Sequence, residues 1–302
     1  MDIEITIGLC VKNAERTIRD CVKSIVNQSY PKELVTIIVV DGKSKDKTVD
    51  IAKEQLLYSG IASKFYSDNG AGLGVARQII FENTKDCYIV WIDGDATILE
   101  DFVEKQVEFM EGNHRVCVAT GTYIHRGNIH ANLPASLESL GKYVGSMLGA
   151  SAQEDRGIPP NDTSIYRVEA MNQVGGFDTS IRGASEDVDI ITRMRRSGWT
   201  VAINKEAKYH VFPHASWQQA WLEGVWFGYG EHFLGHKHKD LHVCMYSIPA
   251  VYFYVGIKEG IKAYKLTFEK KSFLLPVNYV FAKIAWWYGF IKAHAEGYGH
   301  GQ

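Results

Sequence analysis

The chain has 302 residues, 46% of them apolar, enough to bury a full core in one large domain or in a domain with an appendage. A formal net charge of −2 excludes nucleic acid as the main partner. The five cysteines (Cys10, Cys21, Cys87, Cys117, Cys244) are odd in number and lack a C-x-x-C pair, which excludes a disulfide framework and reads as buried thiols of a reducing compartment.

Met1–Glu4 opens strand-like, with no basic, apolar leader, so the sequence predicts a cytoplasmic protein. Ile3–Leu9 predicts a strand. A helix is expected over Ala14–Asn27, capped by Asn13, with Ile18, Cys21, Val22 and Ile25 on one face. Val35–Val40 predicts a second buried strand that runs into Asp41-Gly42-Lys43-Ser44 and then a helix over Val49–Leu57. A strand, an acid-glycine turn and a helix make a βα unit of the nucleotide-binding kind, whose ligands sit outside the carboxyl ends of the strands. There Asp41 either accepts hydrogen bonds from a base or ribose or caps the approach to the helix.

Asp68–Arg77 is a glycine-rich loop entering a helix, a place where backbone can approach a phosphate. It lacks the spacing of a dinucleotide fingerprint. Arg77 either pairs with a phosphate or supports the turn that follows. That turn organises the chain: the buried strand Tyr88–Ile92 runs straight into Asp93-Gly94-Asp95. Two carboxylates at the end of a buried strand repel each other and lose solvation. A divalent cation with a taste for hard oxygen, Mg²⁺ or Mn²⁺, cancels that cost, and Gly94 is expected to let the turn aim both side chains at one point. The alternative is an Asx-type turn.

A helix over Ile98–Met110 and a strand over Val116–Thr120 follow. Gly141, Gly145 and Gly149, spaced at four, predict close helix packing, and Gln153–Asp162 reads as a loop on the acceptor side. After a strand over Thr163–Val168, a short helix over Glu169–Val174 and a turn at Gly175–Asp178, Ser185 is placed to cap a helix over Val188–Ser197. Glu186 and Asp187 then fall in its first turn. Trp199–Ile203 predicts a strand, beyond which His210 or His214 is positioned to complete a metal site; a lone histidine there is otherwise structural.

These pieces together resemble the family 2 glycosyltransferases of the GT-A fold. The matching stretches are C-V-K-N at Cys10–Asn13, V-V-D-G-K-S-K-D-K-T at Val39–Thr48, G-L-G-V-A-R at Gly72–Arg77, I-D-G-D at Ile92–Asp95, V-G-G-F-D at Val174–Asp178, S-E-D-V-D at Ser185–Asp189 and H-V-F-P at His210–Pro213. The chain departs from the pattern at Cys10, where proline is usual, and at Gly94, where alanine is common. The resemblance implies an α/β/α sandwich around a mostly parallel mixed sheet, and an inverting transfer from a nucleoside-diphosphate-sugar of UDP or GDP type. It further implies that Asp41 contacts the base and that Asp93 and Gly94, with Cys10, Asn13, Gly72 and Arg77, line the donor site. Asp95, with Asp93 and His210, would hold Mn²⁺ or Mg²⁺, and Asp187, beside Glu186, would be the catalytic base.

Beyond about residue 230 the family pattern stops, so residues 1–230 are expected to be the catalytic domain and 231–302 a helical appendage. His232, His236, His238 and His242 lie among lysines and read as a solvated connector, a metal site being the lesser alternative. Val243–Ile257 and Phe273–Ile291 are apolar but interrupted by Pro249, Pro276, Asn278 and Lys283. Trp286, Trp287 and Tyr288 suit a membrane interface, so the appendage is expected to lie on the inner face of the cell membrane, with a glycan or lipid-linked acceptor. Ordinary core helices are the competing reading. A nucleotidyltransferase on a similar sheet and a catalytically inactive membrane-associated scaffold are the rival functions. The first would carry a basic glycine-rich loop near the first strand, which Cys10–Arg16 lacks; the second has no use for Asp41, Asp93, Asp95 and Asp187 together.

Overall fold

The structure, a computed structural model, describes residues 3–124, 132–156, 163–213, 216–241 and 248–300. It divides into two compact units, one comprising Met1–Ile124, Ala150–Ser180 and Asp187–Phe212, the other His125–Gly149, Ile181–Glu186 and Pro213–Gln302.

The first unit is built on an eight-stranded sheet. In chain order the strands are β1 (Ile5–Val11), β2 (Val35–Asp41), β3 (Ala62–Ser67), β4 (Tyr88–Ile92), β5 (Ala96–Ile98), β6 (Val116–Tyr123), β7 (Thr163–Arg167) and β8 (Thr200–Val211). Their spatial order is β3-β2-β1-β4-β7-β6-β8-β5. β3, β2, β1 and β4 are parallel, β7 runs antiparallel to β4 and β6, β6 and β8 are parallel, and β5 is antiparallel to β8. From β1 the chain builds outward through β2 and β3, then returns to β4 on the other side. That reversal opens a crevice at the carboxyl ends of β1 and β4, where open α/β sheets bind ligands.

Alternation along β2 sets the layers. Ile37 and Val39 join a core with Ile18, Cys21, Val22 and Ile25 of α1 (Ile18–Val26), Ala52 and Leu56 of α2 (Thr48–Leu56), and Phe102 and Val107 of α4 (Phe102–Gly112). Ile38 and Val40 face the opposite core, with Ala76 and Ile80 of α3 (Leu73–Glu82), Met171 of α6 (Val168–Val174) and Ile190 and Met194 of α7 (Glu186–Arg196). Residues apolar on both faces make the near-continuous V-T-I-I-V-V run of a doubly covered strand. The α/β/α sandwich with a mixed sheet is the architecture expected.

Several local readings change. The first helix begins at Ile18 rather than at Ala14, and Asn13, expected to cap it, has a φ of +49° that is not that of an N-cap. A long helix, α5 (Leu133–Arg156), absorbs the start of the loop expected over Gln153–Asp162; the rest of that loop lies outside the described residues. Of the glycines spaced at four, Gly141 is in tight contact, since a Cβ there would lie 3.0 Å from the Tyr279 hydroxyl of the last long helix, whereas one on Gly145 meets nothing within 4 Å; the surroundings of Gly149 lie outside what the structure describes.

Closer contact still occurs in the same second unit, among α8 (Trp217–Lys237), α9 (Pro249–Thr267) and α10 (Leu275–Ala295). A Cβ on Gly228 of α8 would lie 1.9 Å from the carbonyl oxygen of Trp286, and one on Gly289 of α10 would lie 2.0 Å from that of Val225. The two backbones touch through glycine, and no larger residue fits. A small core of Leu137, Leu140, Val144, Ala263 and Leu275 fills the rest. The histidine-rich stretch read as a solvated connector is part of α8 and its continuation, with His232 and His238 buried; His242 lies outside the described residues. Trp286, expected at an interface, is 2% exposed and donates to Glu231 Oε2 at 3.0 Å.

Candidate active site

Three loops at the carboxyl ends of β1, β2 and β4 meet. After β1, whose penultimate residue Cys10 pairs with Val40, the Asn13 N–H donates to Ser44 Oγ and Asn13 Oδ1 accepts from the Lys45 N–H, both at 2.9 Å. Ala14 N–H donates to Thr48 Oγ1 at 2.7 Å. Asn13 therefore ties the first loop to the second, and its left-handed backbone serves that tie. Asp41, the last residue of β2, accepts the Ser44 N–H at 3.2 Å on each carboxylate oxygen. This is the capping turn weighed as the alternative for Asp41, and the half-exposed carboxylate also borders the crevice.

The glycine-rich loop is organised by a residue the sequence reading passed over. Asp68 is buried, and its carboxylate accepts the N–H of Gly70 at 2.6 Å and of Gly72 at 3.1 Å. Gly72, at φ +120°, occupies a conformation that side chains rarely adopt and opens α3. The D-x-G-x-G spacing was the available signal: an aspartate followed by alternate glycines is an Asx turn closed twice.

At the end of β4 the Asp93 carbonyl accepts from the Ala96 N–H at 2.9 Å and the Gly94 carbonyl from Thr17 Oγ1 at 2.7 Å. Gly94 is not in a left-handed conformation; it is buried, and a Cβ there would lie 3.2 Å from Val11 Cγ1. Glycine here eases a tight approach rather than supplying conformational freedom. Cys21 Sγ donates to the Asp93 carbonyl at 3.4 Å from beneath the turn, and burial, with the charges of Asp95 and Asp93, pushes its thiol well up.

Arg77 is 4% exposed and reaches both sides of this centre. One Nη lies 3.8 Å from Asp93 Oδ1 and the other 4.0 Å from Asp187 Oδ2, with the guanidinium 5.5 Å above the Trp91 ring. Of its two expected roles, support for the acid turn is what the contacts carry, with a link to Asp187 added. Asp187 lies in the first turn of α7 and takes the Val188 N–H at 2.7 Å. The buried Glu186 opens the helix, and Ser185 precedes it at φ +81°. The third acid of the motif, Asp189, is fully buried and accepts from Arg193 Nε and Nη2 at 2.9 and 2.7 Å, while Arg193 also donates to the carbonyls of Val174 and Gly176. It anchors the helix to the Gly175–Asp178 turn, and Gln78 Oε1 on α3 fixes the same turn by accepting from the Phe177 N–H at 2.8 Å.

The Asp95 side chain is exposed, while its carbonyl accepts from the Phe212 N–H at 2.8 Å. His210 sits on β8 opposite Thr97 of β5, two residues past Asp95, and its Nδ1 donates to the Ile124 carbonyl at 2.6 Å, which leaves the lone pair on Nε2. Two carboxylates and one imidazole in this tautomer fit a divalent cation. Among the described residues these three are not drawn into one converged cluster, so their side chains would have to close on a cation to hold it together. His214 lies outside the described residues.

The family model described as Glycosyl transferase family 2 matches residues 6–175. A stretch of 112 residues, 37% of the chain, is 33% identical to an uncharacterized glycosyltransferase of Haemophilus influenzae and covers 44% of it. Glycosyltransferase AglE of Haloferax volcanii is 22% identical over 200 residues, covering 65% of the chain and 63% of that protein. The matched stretches thus span less than two thirds of these relatives. The fold is also that of a Pyrobaculum calidifontis mannosyltransferase solved with GDP-Man and Mn²⁺ (TM-score 0.69, 15% identity, 97% of this chain and 88% of that one). Staphylococcus aureus TarS residues 1–349 are similar at TM-score 0.54 and 15% identity, covering 98% and 92%.

Proposed function

The chain belongs to the glycosyl transferase family 2, and from that premise we propose that it moves a sugar from a nucleoside-diphosphate-sugar to an acceptor hydroxyl with inversion. The observation that carries the reading is Arg77, which links Asp93 of the acid turn with Asp187 of α7 in the crevice where Asp41 also ends its strand. In this reading Asp41, with Asn13, Cys10 and Gly72 around it, receives the nucleoside, and Asp93 and Gly94 the ribose and diphosphate side. Asp187 accepts the proton of the acceptor hydroxyl as its oxygen bonds to the anomeric carbon. The bond from that carbon to the diphosphate breaks in the same displacement, and the diphosphate leaves with the electron pair. Asp95, with Asp93 and His210, would hold Mn²⁺ or Mg²⁺, whose charge would stabilise the departing diphosphate. Glu186 stands beside the base.

The residue 1–230 portion is assigned the transfer and residues 231–302 a membrane-surface role. Phe253, Ile257 and Ile261 of α9, and Phe268 and Phe273 beyond it, are exposed apolar side chains alongside Lys258, Lys265 and Lys270. No described helix is long and apolar enough to cross a membrane, so the reading is contact with the inner face and a lipid-linked or glycan acceptor. The solved neighbours have been captured with GDP-Man and Mn²⁺ or with UDP-GlcNAc, so both donor classes belong in the test. A panel of UDP- and GDP-sugars is scored for release of nucleoside diphosphate with Mn²⁺, with Mg²⁺ and with chelator. Metal-dependent release from one donor is expected; no release or binding from any donor under any condition rejects the proposal.

A further inference from the structure

We propose that His232, His236, His294 and His300 form a binding site for a divalent transition cation of the Zn²⁺ class, which fastens the turn after α10 onto α8. One ring nitrogen from each of the four lies within 4.8 Å of the others. His232 and His236 are one turn apart on α8, His294 comes from the last turn of α10, and His300 from the turn that follows. His232 Nε2 and His300 Nε2 lie 3.2 and 3.3 Å from His294 Nδ1. Four nitrogens held tetrahedrally at the usual Zn–N distance of about 2.05 Å stand about 3.3 Å apart. Two edges of that tetrahedron are therefore already present.

The surroundings are those of a ligand set. Buried His232 donates from Nδ1 to the Tyr298 carbonyl at 2.7 Å, which fixes the tautomer that offers Nε2 and supplies the outer hydrogen bond typical of metal-bound imidazole. The turn carrying His300 is set without a metal: Tyr298 stacks on Tyr229 at 4.6 Å and 15°, and Gly299, at φ +86°, brings its backbone against Phe233. Imidazole donors select Zn²⁺, Cu²⁺ or Ni²⁺ over the hard ions suited to the Asp93-Gly94-Asp95 turn. Four protein ligands make a closed, structural site rather than one with an open catalytic position.

The test uses the full chain without a polyhistidine tag, stripped with chelator and titrated with Zn²⁺ by calorimetry and with Co²⁺ by visible absorption. One equivalent of Zn²⁺ is expected to bind and raise the melting temperature, and Co²⁺ to show the intense bands of four-coordinate geometry. His294 and His300 are exposed, so His294→Gln with His300→Gln should leave the metal-free melting curve in place. It should weaken Zn²⁺ binding by about a hundredfold or more, beyond what loss of an outer-shell partner alone causes. Asp95→Asn should keep full Zn²⁺ affinity, which separates this site from the proposed donor site. No saturable Zn²⁺ binding by the parent, parent-like affinity in the double variant, or loss of affinity in Asp95→Asn overturns the proposal.

Discussion

Arg77→Met is the substitution that tests the candidate site most directly. Removing one partner of a fully buried ion pair costs about 3–5 kcal/mol. Here the partners keep 39% (Asp93) and 21% (Asp187) of their side-chain area in water, and the separations are 3.8 and 4.0 Å, so solvent takes up much of that penalty. We assign about 1–2 kcal/mol to the two carboxylates after this discount and about 1 kcal/mol to the lost contact with Trp91. The total, about 2–3 kcal/mol, corresponds to a fall of roughly 4–12 °C in the melting of the sheet unit. Arg77 touches no reacting atom in the proposed reaction, yet it sets both the acid turn and Asp187. A displacement of about 1 Å at a reacting group costs about 10²-fold in rate. Nucleoside-diphosphate release should therefore drop by about one to two orders of magnitude in kcat/KM. Arg77→Lys should restore charge but not rate, since an ammonium is one point and cannot span two carboxylates as the guanidinium fork does. Parent-like melting and turnover in Arg77→Met would refute the linkage, and full rescue by lysine would reduce Arg77 to a source of net charge.

The remaining expectations concern the other groups. Asp187→Asn should cut turnover by about 10²–10⁴ while donor affinity by calorimetry stays near the parent, with Glu186→Gln milder; a loss explained wholly by weaker donor binding would take the base role from Asp187. Asp95→Asn should abolish the Mn²⁺ dependence of UDP or GDP binding without shifting the melting curve, and unchanged Mn²⁺ dependence would exclude it as a ligand. Phe268→Ser with Phe273→Ser should reduce sedimentation with anionic liposomes, because Phe268 is 78% exposed and Phe273 54%. A parent that stays in the supernatant removes the membrane reading.

The sheet was readable because β1, β2 and β4 are buried on both faces and appear as largely apolar runs, β2 and β4 closed by acid-glycine turns. β3 escaped: A-S-K-F-Y-S lies at the sheet edge with its polar residues in water, and carries no run to detect. β5 is three residues long, too short for a period. The candidate acids were legible for the same reason as the strands, since each follows directly from a strand or a helix start. Their partners were not. Arg77 reaches Asp187 across more than a hundred residues, and Asn13 bonds Ser44 across the crevice's two loops. In α8, aromatic residues recur on every side and glycine every few positions, so no single apolar face announces a helix with buried histidines. Trp286 was misassigned because a tryptophan near lysines looks interfacial in sequence, whereas here its indole has Glu231 as a partner.

The glycine contact between α8 and α10 also has a consequence in time. The surface around Gly228 receives the backbone of α10 at Trp286 and Phe290. α8 ends at Lys237 and α10 at Ala295, so the roughly 60 residues between them take about 3–12 s to synthesise at 5–20 residues per second. Throughout that interval the emerging α8 presents Trp217 and Trp221 before Phe281 and Tyr288 of α10, which pack on them, have been made. Nascent chains of this protein should therefore recruit a hydrophobic-binding chaperone or a lipid surface during a defined window, closing once α10 clears the ribosome. Ribosome-stalled chains ending near residue 240 and near residue 300 plus a tunnel-length linker would bracket it.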